Sequence, residues 1–342
     1  MNNKVNVAVL GSTGFVGLEL IKILLNHPKV NINFIGSENN HNKNISELDI
    51  NIQSSNLPVI RKNEEFEELK SDVVFLCLPH GVSHTYVKKY IDKLVIIDLS
   101  ADFRLDSNEV YSINYNDSHS CPELLNRFVY GLCELNMEDI KKSKNISLPG
   151  CYPTSILLPM IPLLKKNLII GNNIIIDSKS GYSGAGKKFD ISSIKNNNDF
   201  NFYNYNTNQH RHICEINQEL KKNTEEDVYF SFNPHILPNY RGMMSTIYCD
   251  LKDSSTFEDI ENTLLNFSKN LNFIKLIPDN KKFDFFEVQN TNNCLIKVLR
   301  HNNNKSIIII SLIDNLIKGA AGQAVQNFNI CFNFDEKLSL PN

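Results

Sequence analysis

The stretch Val5-Asn-Val-Ala-Val-Leu10-Gly11-Ser-Thr-Gly14-Phe-Val-Gly17 decides the fold class. Val5 to Leu10 is a short apolar run of the kind buried on both faces of a parallel sheet. Gly11 to Gly17 is a G-x-x-G-x-x-G turn. Phe15 to Asn26 then places apolar residues at 16, 20, 21, 24 and 25, a helical spacing that His27-Pro28 ends. Strand, glycine turn and helix in that order aim unpaired N–H groups and the positive end of a helix dipole at one point, which suits a pyrophosphate. Gly11, Ser12, Thr13, Gly14, Val16 and Gly17 are therefore candidate dinucleotide-binding residues.

Outward from this turn, Asn31–Ile35, Asp72–Leu78 and Leu94–Leu99 read as further strands and Val82–Ile91 as a helix. The alternation implies an α/β fold with a doubly wound Rossmann-type parallel sheet and right-handed crossovers. The second strand ends Phe34-Ile-Gly-Ser37-Glu38, with Lys43 nearby. A serine there accommodates a 2′-phosphate that a carboxylate would repel, so Ser37 favours NADP(H) over NAD although Glu38 follows it.

The pattern changes after Leu148-Pro149-Gly150. A helix is expected from Pro153 to Lys166, a strand over Asn173–Ser178, a glycine- and serine-rich loop over Ser180–Gly186, and strands over Tyr248–Leu251, Cys294–Leu299 and Ser306–Ile313. So many strands with few helices between them predict an α+β second domain with a mixed or antiparallel sheet. Lys318–Asn329 reads as a closing helix despite Gly319 and Gly322. The expected division is a dinucleotide-binding domain over 1–148, a catalytic and oligomerisation domain over 149–314, and a C-terminal segment 315–342 returning to the first.

Composition narrows the function. The 342 residues carry 35 basic and 38 acidic side chains, a net charge of −3. That balance draws no polyanion globally, and no nucleic-acid partner is expected. The apolar runs are too short for a bilayer, so no membrane partner is expected either. The N-terminal residues enter a strand without the apolar stretch of a secretory signal, which predicts a cytoplasmic protein. Asparagine clusters at 39–40, 196–198 and 302–304 are expected in exposed loops.

Eight cysteines stand apart, with no C-x-x-C pair, so neither a disulfide framework nor a paired metal site is expected. Cys151 differs from the rest. It lies in Pro149-Gly-Cys-Tyr-Pro153-Thr, a turn entering a helix, where the helix N-terminus favours a thiolate. His210-Arg-His212-Ile-Cys-Glu215 supplies imidazoles that suit a general base and acid beside such a thiolate. His235…Arg241-Gly242 is a further polar segment.

These motifs together resemble the N-acetyl-γ-glutamyl-phosphate reductase family, relatives of aspartate-semialdehyde dehydrogenase in arginine biosynthesis. The resemblance runs through GSTGFVG at 11–17, LPHGVS at 78–83, LSADFRL at 99–105, PGCYPT at 149–154, SGYSGAGKK at 180–188, HRHICEI at 210–216, PHILPNYRG at 234–242 and DNLIKGAAGQAVQ at 314–326. It implies that Cys151 is the nucleophile and His212 the acid/base, with His210 and Glu215 close to the substrate. It also implies that Arg104 binds the acyl phosphate and that Ser180 stands where the aspartate-semialdehyde relatives carry a glutamine. Ser183, Gly184 and Asn315 are similar to residues near the nicotinamide. The implied partners are an acyl phosphate and inorganic phosphate, and the implied assembly a homodimer or homotetramer. Leu148, Ser155 and Cys214 depart from the family pattern. The alternatives are a reductase of aspartyl or N-acetyl-aminoadipyl phosphate, and a catalytically silent NADP-binding regulator.

Overall fold

The computed structural model describes residues 4–53, 56–197, 199–301 and 305–342. The chain forms two compact units, Met1–Pro149 with Ala320–Pro341, and Gly150–Gly319.

In the first unit, β1 (Val5–Leu10), β2 (Val30–Gly36), β3 (Val73–Leu76), β4 (Val95–Asp98), β5 (Val129–Tyr130) and β6 (Asn145–Ser147) make one sheet in the order β2-β1-β3-β4-β6-β5. Every pairing is parallel, which is the Rossmann-type sheet expected from the alternation. Val7 to Leu10 and Val73 to Leu76 are wholly buried, as strands covered on both faces must be. Helices α1 (Phe15–Leu25), α2 (Ser83–Tyr90), α3 (Asn108–Tyr115) and α4 (Cys133–Lys142) connect the strands. The sequence does not announce α3 and α4: α3 buries only Tyr111, and α4 is interrupted at Asn136, so neither carries a clean apolar stripe. Strand order reverses between β1 and β3, and the crevice beyond the carboxyl ends at such a point is where open α/β sheets take their ligands. The glycine turn leaves β1 at that end.

The second unit contains α5 (Cys151–Lys165), β7 (Ile174–Gly181), the hairpin β8 (Lys195–Asn196) and β9 (Asp199–Phe200), β10 (Tyr203–Asn204), α6 (His212–Lys221), β11 (Phe230–Leu237), β12 (Met243–Asp250), α7 (Phe257–Ser268), β13 (Ile274–Leu276), β14 (Cys294–Arg300) and β15 (Ser306–Ile313). Its sheet is mixed, in the order β10-β11-β7-β12-β15-β14-β13. Helix α5 packs on β12 and β15 and against α6 and α7. All residues from Tyr152 to Leu164 are buried, as a helix that is apolar all round requires. It starts at Cys151, two residues before the expected Pro153. Pro153 occupies the first turn, where an absent N–H leaves no bond unmade. The expected loop 180–186 is shorter, because β7 runs on through Gly181 and a 3₁₀ turn covers Tyr182–Ala185. Strand β11 was hidden by Pro234, since proline inside a strand pattern argues against one.

After β15 the chain makes a π-helical turn, Ile317–Ala321, and then α8 (Gly322–Cys331), so the closing helix is broken at its start. Helix α8 belongs to the first unit. There Gln323 Nε2 and Asn327 Nδ2 donate to the Gly131 carbonyl at 3.0 and 2.8 Å, and the Phe328 ring meets Phe75.

Among the described residues, nine of the ten non-glycine residues with positive φ are asparagines, so much of the abundant asparagine serves left-handed turns. Asn198 and residues 302–304 of the asparagine clusters lie outside the described residues. Among the described residues no helix is long and apolar enough to cross a membrane, and no cluster of His, Cys, Asp and Glu could hold a metal ion.

Candidate active site

In the first unit the glycine turn is built for close approach. Gly11 has φ +74°, and a Cβ there would meet the Cys77 carbonyl oxygen at 2.2 Å. A Cβ on Gly17 would meet the Ser12 carbonyl at 2.5 Å, so this glycine lets α1 close against the turn. Gly14 differs. The nearest atom to a Cβ there is the Gly11 carbonyl oxygen at 3.7 Å, so nothing in the protein requires glycine, and the open space fits a phosphate group lying on the N-terminus of α1. The turn therefore fits a dinucleotide. Ser12 contributes only its backbone to that surface, because its buried hydroxyl donates to the Gly36 carbonyl at 3.0 Å.

Thr13 Oγ1 and Ser37 Oγ are 2.7 Å apart, joining the turn to the end of β2. Two neighbours of this pair escaped the sequence reading. Asn63 Oδ1 accepts the Gly11 N–H at 3.1 Å, and the Arg61 carbonyl accepts the Ser37 N–H at 2.8 Å. Both come from a loop without local signal, placed by its bridge to Gly36. The Arg61 guanidinium forms a two-pronged pair with Glu65.

LPHGVS and LSADFRL meet at a buried carboxylate. Asp102 accepts the N–H groups of Gly81 and Ser83 at 2.8 and 3.2 Å, and His80 Nδ1 lies 2.7 Å from it. Burial and the nearby Asp102 charge push Asp98 up to about 7. Arg104, also buried, donates from Nε to the Leu148 carbonyl at 2.6 Å and from Nη2 to the Leu99 carbonyl at 3.2 Å.

In the second unit Cys151 is the first residue of α5, with Gly150 as its N-cap. The Gly150 N–H donates to Glu215 Oε1 at 2.8 Å, and Glu215 is wholly buried. Glu215 thus holds the backbone in front of the thiol. A Cβ on Gly150 would lie 2.4 Å from His212 Nε2, so the imidazole fills the space of the missing side chain. On the other side, a Cβ on Gly319 would lie 2.8 Å from Cys151 Cβ. Glycine inside a helical pattern is the sequence signal that could have revealed this approach.

His210 is differently placed. Its Nδ1 accepts the His212 N–H at 3.1 Å and its Nε2 lies 3.5 Å from Tyr205 Oη, which is 3.2 Å from Tyr152 Oη. Burial, with Arg211 beside it, lowers His210 to about 4, so it is neutral at neutral pH. Cys214, third in α6, turns its Sγ to the Arg211 carbonyl at 3.0 Å and leaves the helix intact.

Ser180, Ser183, Gly184 and Asn315 come together. A Cβ on Gly184 would lie 3.0 Å from Ser180 Oγ. Asn315 Nδ2 donates to Ser183 Oγ at 2.9 Å, while its Oδ1 accepts the Gly242 N–H at 2.8 Å. None of the eight cysteines forms a disulfide among the described residues. Burial drives Cys77 far up, Cys121 to about 11, and Cys249 and Cys331 to about 12. Cys77, Cys151 and Cys331 are partly exposed, and of these three Cys151 alone stands at a helix N-terminus.

Comparison with known proteins agrees with this architecture. Residues 6–143 match the semialdehyde dehydrogenase NAD binding domain and residues 151–315 the semialdehyde dehydrogenase dimerisation domain. Among solved structures, aspartate semialdehyde dehydrogenase II from Vibrio cholerae superposes with a TM-score of 0.75 at 17% identity, over 97% of this chain and 99% of its own. The enzyme from Candida albicans, solved with NADP, gives 0.68 at 16%, over 96% and 98%. Fold and site thus define a protein of the semialdehyde dehydrogenase class.

Within that class the sequence is more specific. The N-acetyl-gamma-glutamyl-phosphate reductase of Ehrlichia chaffeensis is 45% identical over 100% of this chain and 99% of its own length. That of Caldicellulosiruptor bescii is 44% identical over 98% of both. The chain belongs to the N-acetyl-gamma-glutamyl-phosphate reductase family.

Proposed function

We propose that this protein reduces N-acetyl-L-glutamyl 5-phosphate to N-acetyl-L-glutamate 5-semialdehyde with NADPH, releasing phosphate, as a cytoplasmic step of arginine biosynthesis. The observation that carries the reading is the placement of Cys151 at the first position of α5, with the His212 ring filling the space beside Gly150.

The α5 dipole favours a thiolate at Cys151. The sulfur attacks the acyl carbon, the bond from that carbon to the phosphate oxygen breaks, and phosphate leaves behind a thioester. Arg104 is the proposed partner of the phosphoryl group, for which a guanidinium fork is matched. A bound dinucleotide would supply a hydride equivalent; Gly11 to Gly17 are the residues that would hold its pyrophosphate, and Ser183, Gly184 and Asn315 are those proposed for its nicotinamide. His212 gives a proton to the carbonyl oxygen, making a thiohemiacetal on Cys151. It takes that proton back as the C–S bond breaks, and aldehyde and thiolate separate. His210, neutral and engaged at both nitrogens, orients His212. Ser180 and Glu215 line the acyl side. Ser37, with Arg61 alongside, is the proposed 2′-phosphate site.

Assembly as a homodimer or homotetramer through the second unit is supported by its open sheet face. Ile175 and Tyr248 are register partners and are 47% and 40% exposed, and Ile308 continues the same apolar row. The function is tested by assaying N-acetylglutamate semialdehyde with NADP. Reduction of NADP that requires phosphate is expected. A phosphate-independent reaction, or preference for aspartate semialdehyde, would contradict it.

A further inference from the structure

The segment His235 to Gly242 and, apart from Asn315, the residues just after β15 have no part in the chemistry above, yet they converge on one buried carboxylate. Asp314 has no exposed surface. Its Oδ2 accepts the Asn290 N–H at 2.7 Å and lies 3.3 Å from Arg241 Nη1. Its Oδ1 accepts the N–H groups of Leu316 and Ile317 at 2.8 and 3.2 Å. Its main-chain carbonyl accepts the Gly319 N–H at 2.9 Å, the five-residue spacing of a π turn. One residue therefore binds this segment at three points, Leu316, Ile317 and Gly319, and the last is the glycine that abuts Cys151 Cβ. π turns are recurrent features of functional sites.

The partners of Asp314 are tied down in turn. Gln289 Nε2 donates to the Arg241 carbonyl at 2.9 Å, and Arg241 Nη1 also donates to Asn290 Oδ1. The next residue on each side of the pair is tied to the other: the Gly242 N–H donates to Asn315 Oδ1. Ionic groups buried this deeply cost desolvation, so packing alone does not explain a charged pair at this place.

We propose that Asp314 is a positioning residue for the nucleophile: braced by Arg241 and Asn290, it caps the turn Leu316–Gly319 and so fixes the backbone against which Cys151 stands. The proposal rests on the reading of Cys151 as the reacting sulfur. Loss of the cap frees Gly319 from Cys151 and loosens the aim of the thiolate without removing any group that touches the substrate.

The test uses the full-length protein and three variants, each checked for folding by circular dichroism and for NADPH binding by fluorescence. Asp314→Ala is expected to lower kcat about 30-fold with KM for the acyl substrate within about threefold, and to change the alkylation rate of Cys151 by iodoacetamide, mapped by mass spectrometry. Asp314→Asn keeps an oxygen for Leu316 and Ile317 and is expected to recover at least about fivefold of that loss. Gly319→Ala, which forces a methyl group onto Cys151, is expected to lower kcat at least about tenfold with NADPH binding retained, and it carries the test if Asp314→Ala does not fold. Folded variants with wild-type kcat and wild-type alkylation would overturn the proposal, as would Asp314→Asn no better than Asp314→Ala. Turnover by Cys151→Ser would instead overturn the reading of the nucleophile.

Discussion

His212 stands where Gly150 has no side chain: the imidazole Nε2 occupies a point 2.4 Å from the position a Cβ on Gly150 would take. Gly150, next to Cys151, is thus a contact surface for the His212 imidazole. Gly150→Ala should displace the imidazole and lower kcat about 100-fold, with NADPH affinity unchanged. Steady-state kinetics alongside cofactor titration check this.

The two histidines should separate cleanly. His212→Asn removes the proposed proton carrier and should cost about 1000-fold in kcat, whereas His210→Asn loses an orienting bond and should cost about tenfold. Comparison of the two kcat values is the check, and equal losses would leave the assignment without support.

Acid stability should report His210 as well. In the unfolded chain an imidazole takes its proton near 6.5, but burial beside Arg211 holds His210 at about 4 in the folded protein. A group with its folded value depressed contributes stability in full above 6.5, and that contribution is lost as the pH falls through 4. Its size is about 3 kcal/mol. Burial lowers His119 to about 4 in the same sense. Asp98, raised to about 7, acts oppositely, favouring the fold at low pH and losing that effect as the pH rises through 7. Denaturant titrations between pH 7 and 4 should therefore show a shallower loss of stability in His210→Asn than in the wild type.

Cofactor choice should lie at the end of β2. Ser37→Asp brings a carboxylate to the end of β2, where the serine Oγ stands 2.7 Å from Thr13 Oγ1, and should raise KM for NADPH about tenfold or more relative to NADH. Parallel assays with both cofactors measure the ratio.

What the sequence disclosed followed from local rules. The glycine turn, the buried strands and the turn into α5 are each written in fewer than twenty consecutive residues, because sheet burial and helix capping act at short range. What stayed hidden comes from distant segments. Asn63 reaches the Gly11 N–H across 52 residues, Gly319 meets Cys151 from the far end of the second unit, and Asp314 draws on Arg241 and Asn290. Only the family resemblance implied Glu215 near the thiol, and its bond to the Gly150 N–H depends on how α6 packs against α5. Helix α3 was missed because a helix with one buried residue has almost no periodic signal.

The most direct measurement mixes the enzyme with N-acetylglutamyl phosphate in the absence of NADPH. Release of about one phosphate per subunit should accompany an N-acetylglutamyl adduct that peptide mass spectrometry places on Cys151. Phosphate release without that adduct, or an adduct on another residue, would contradict the account.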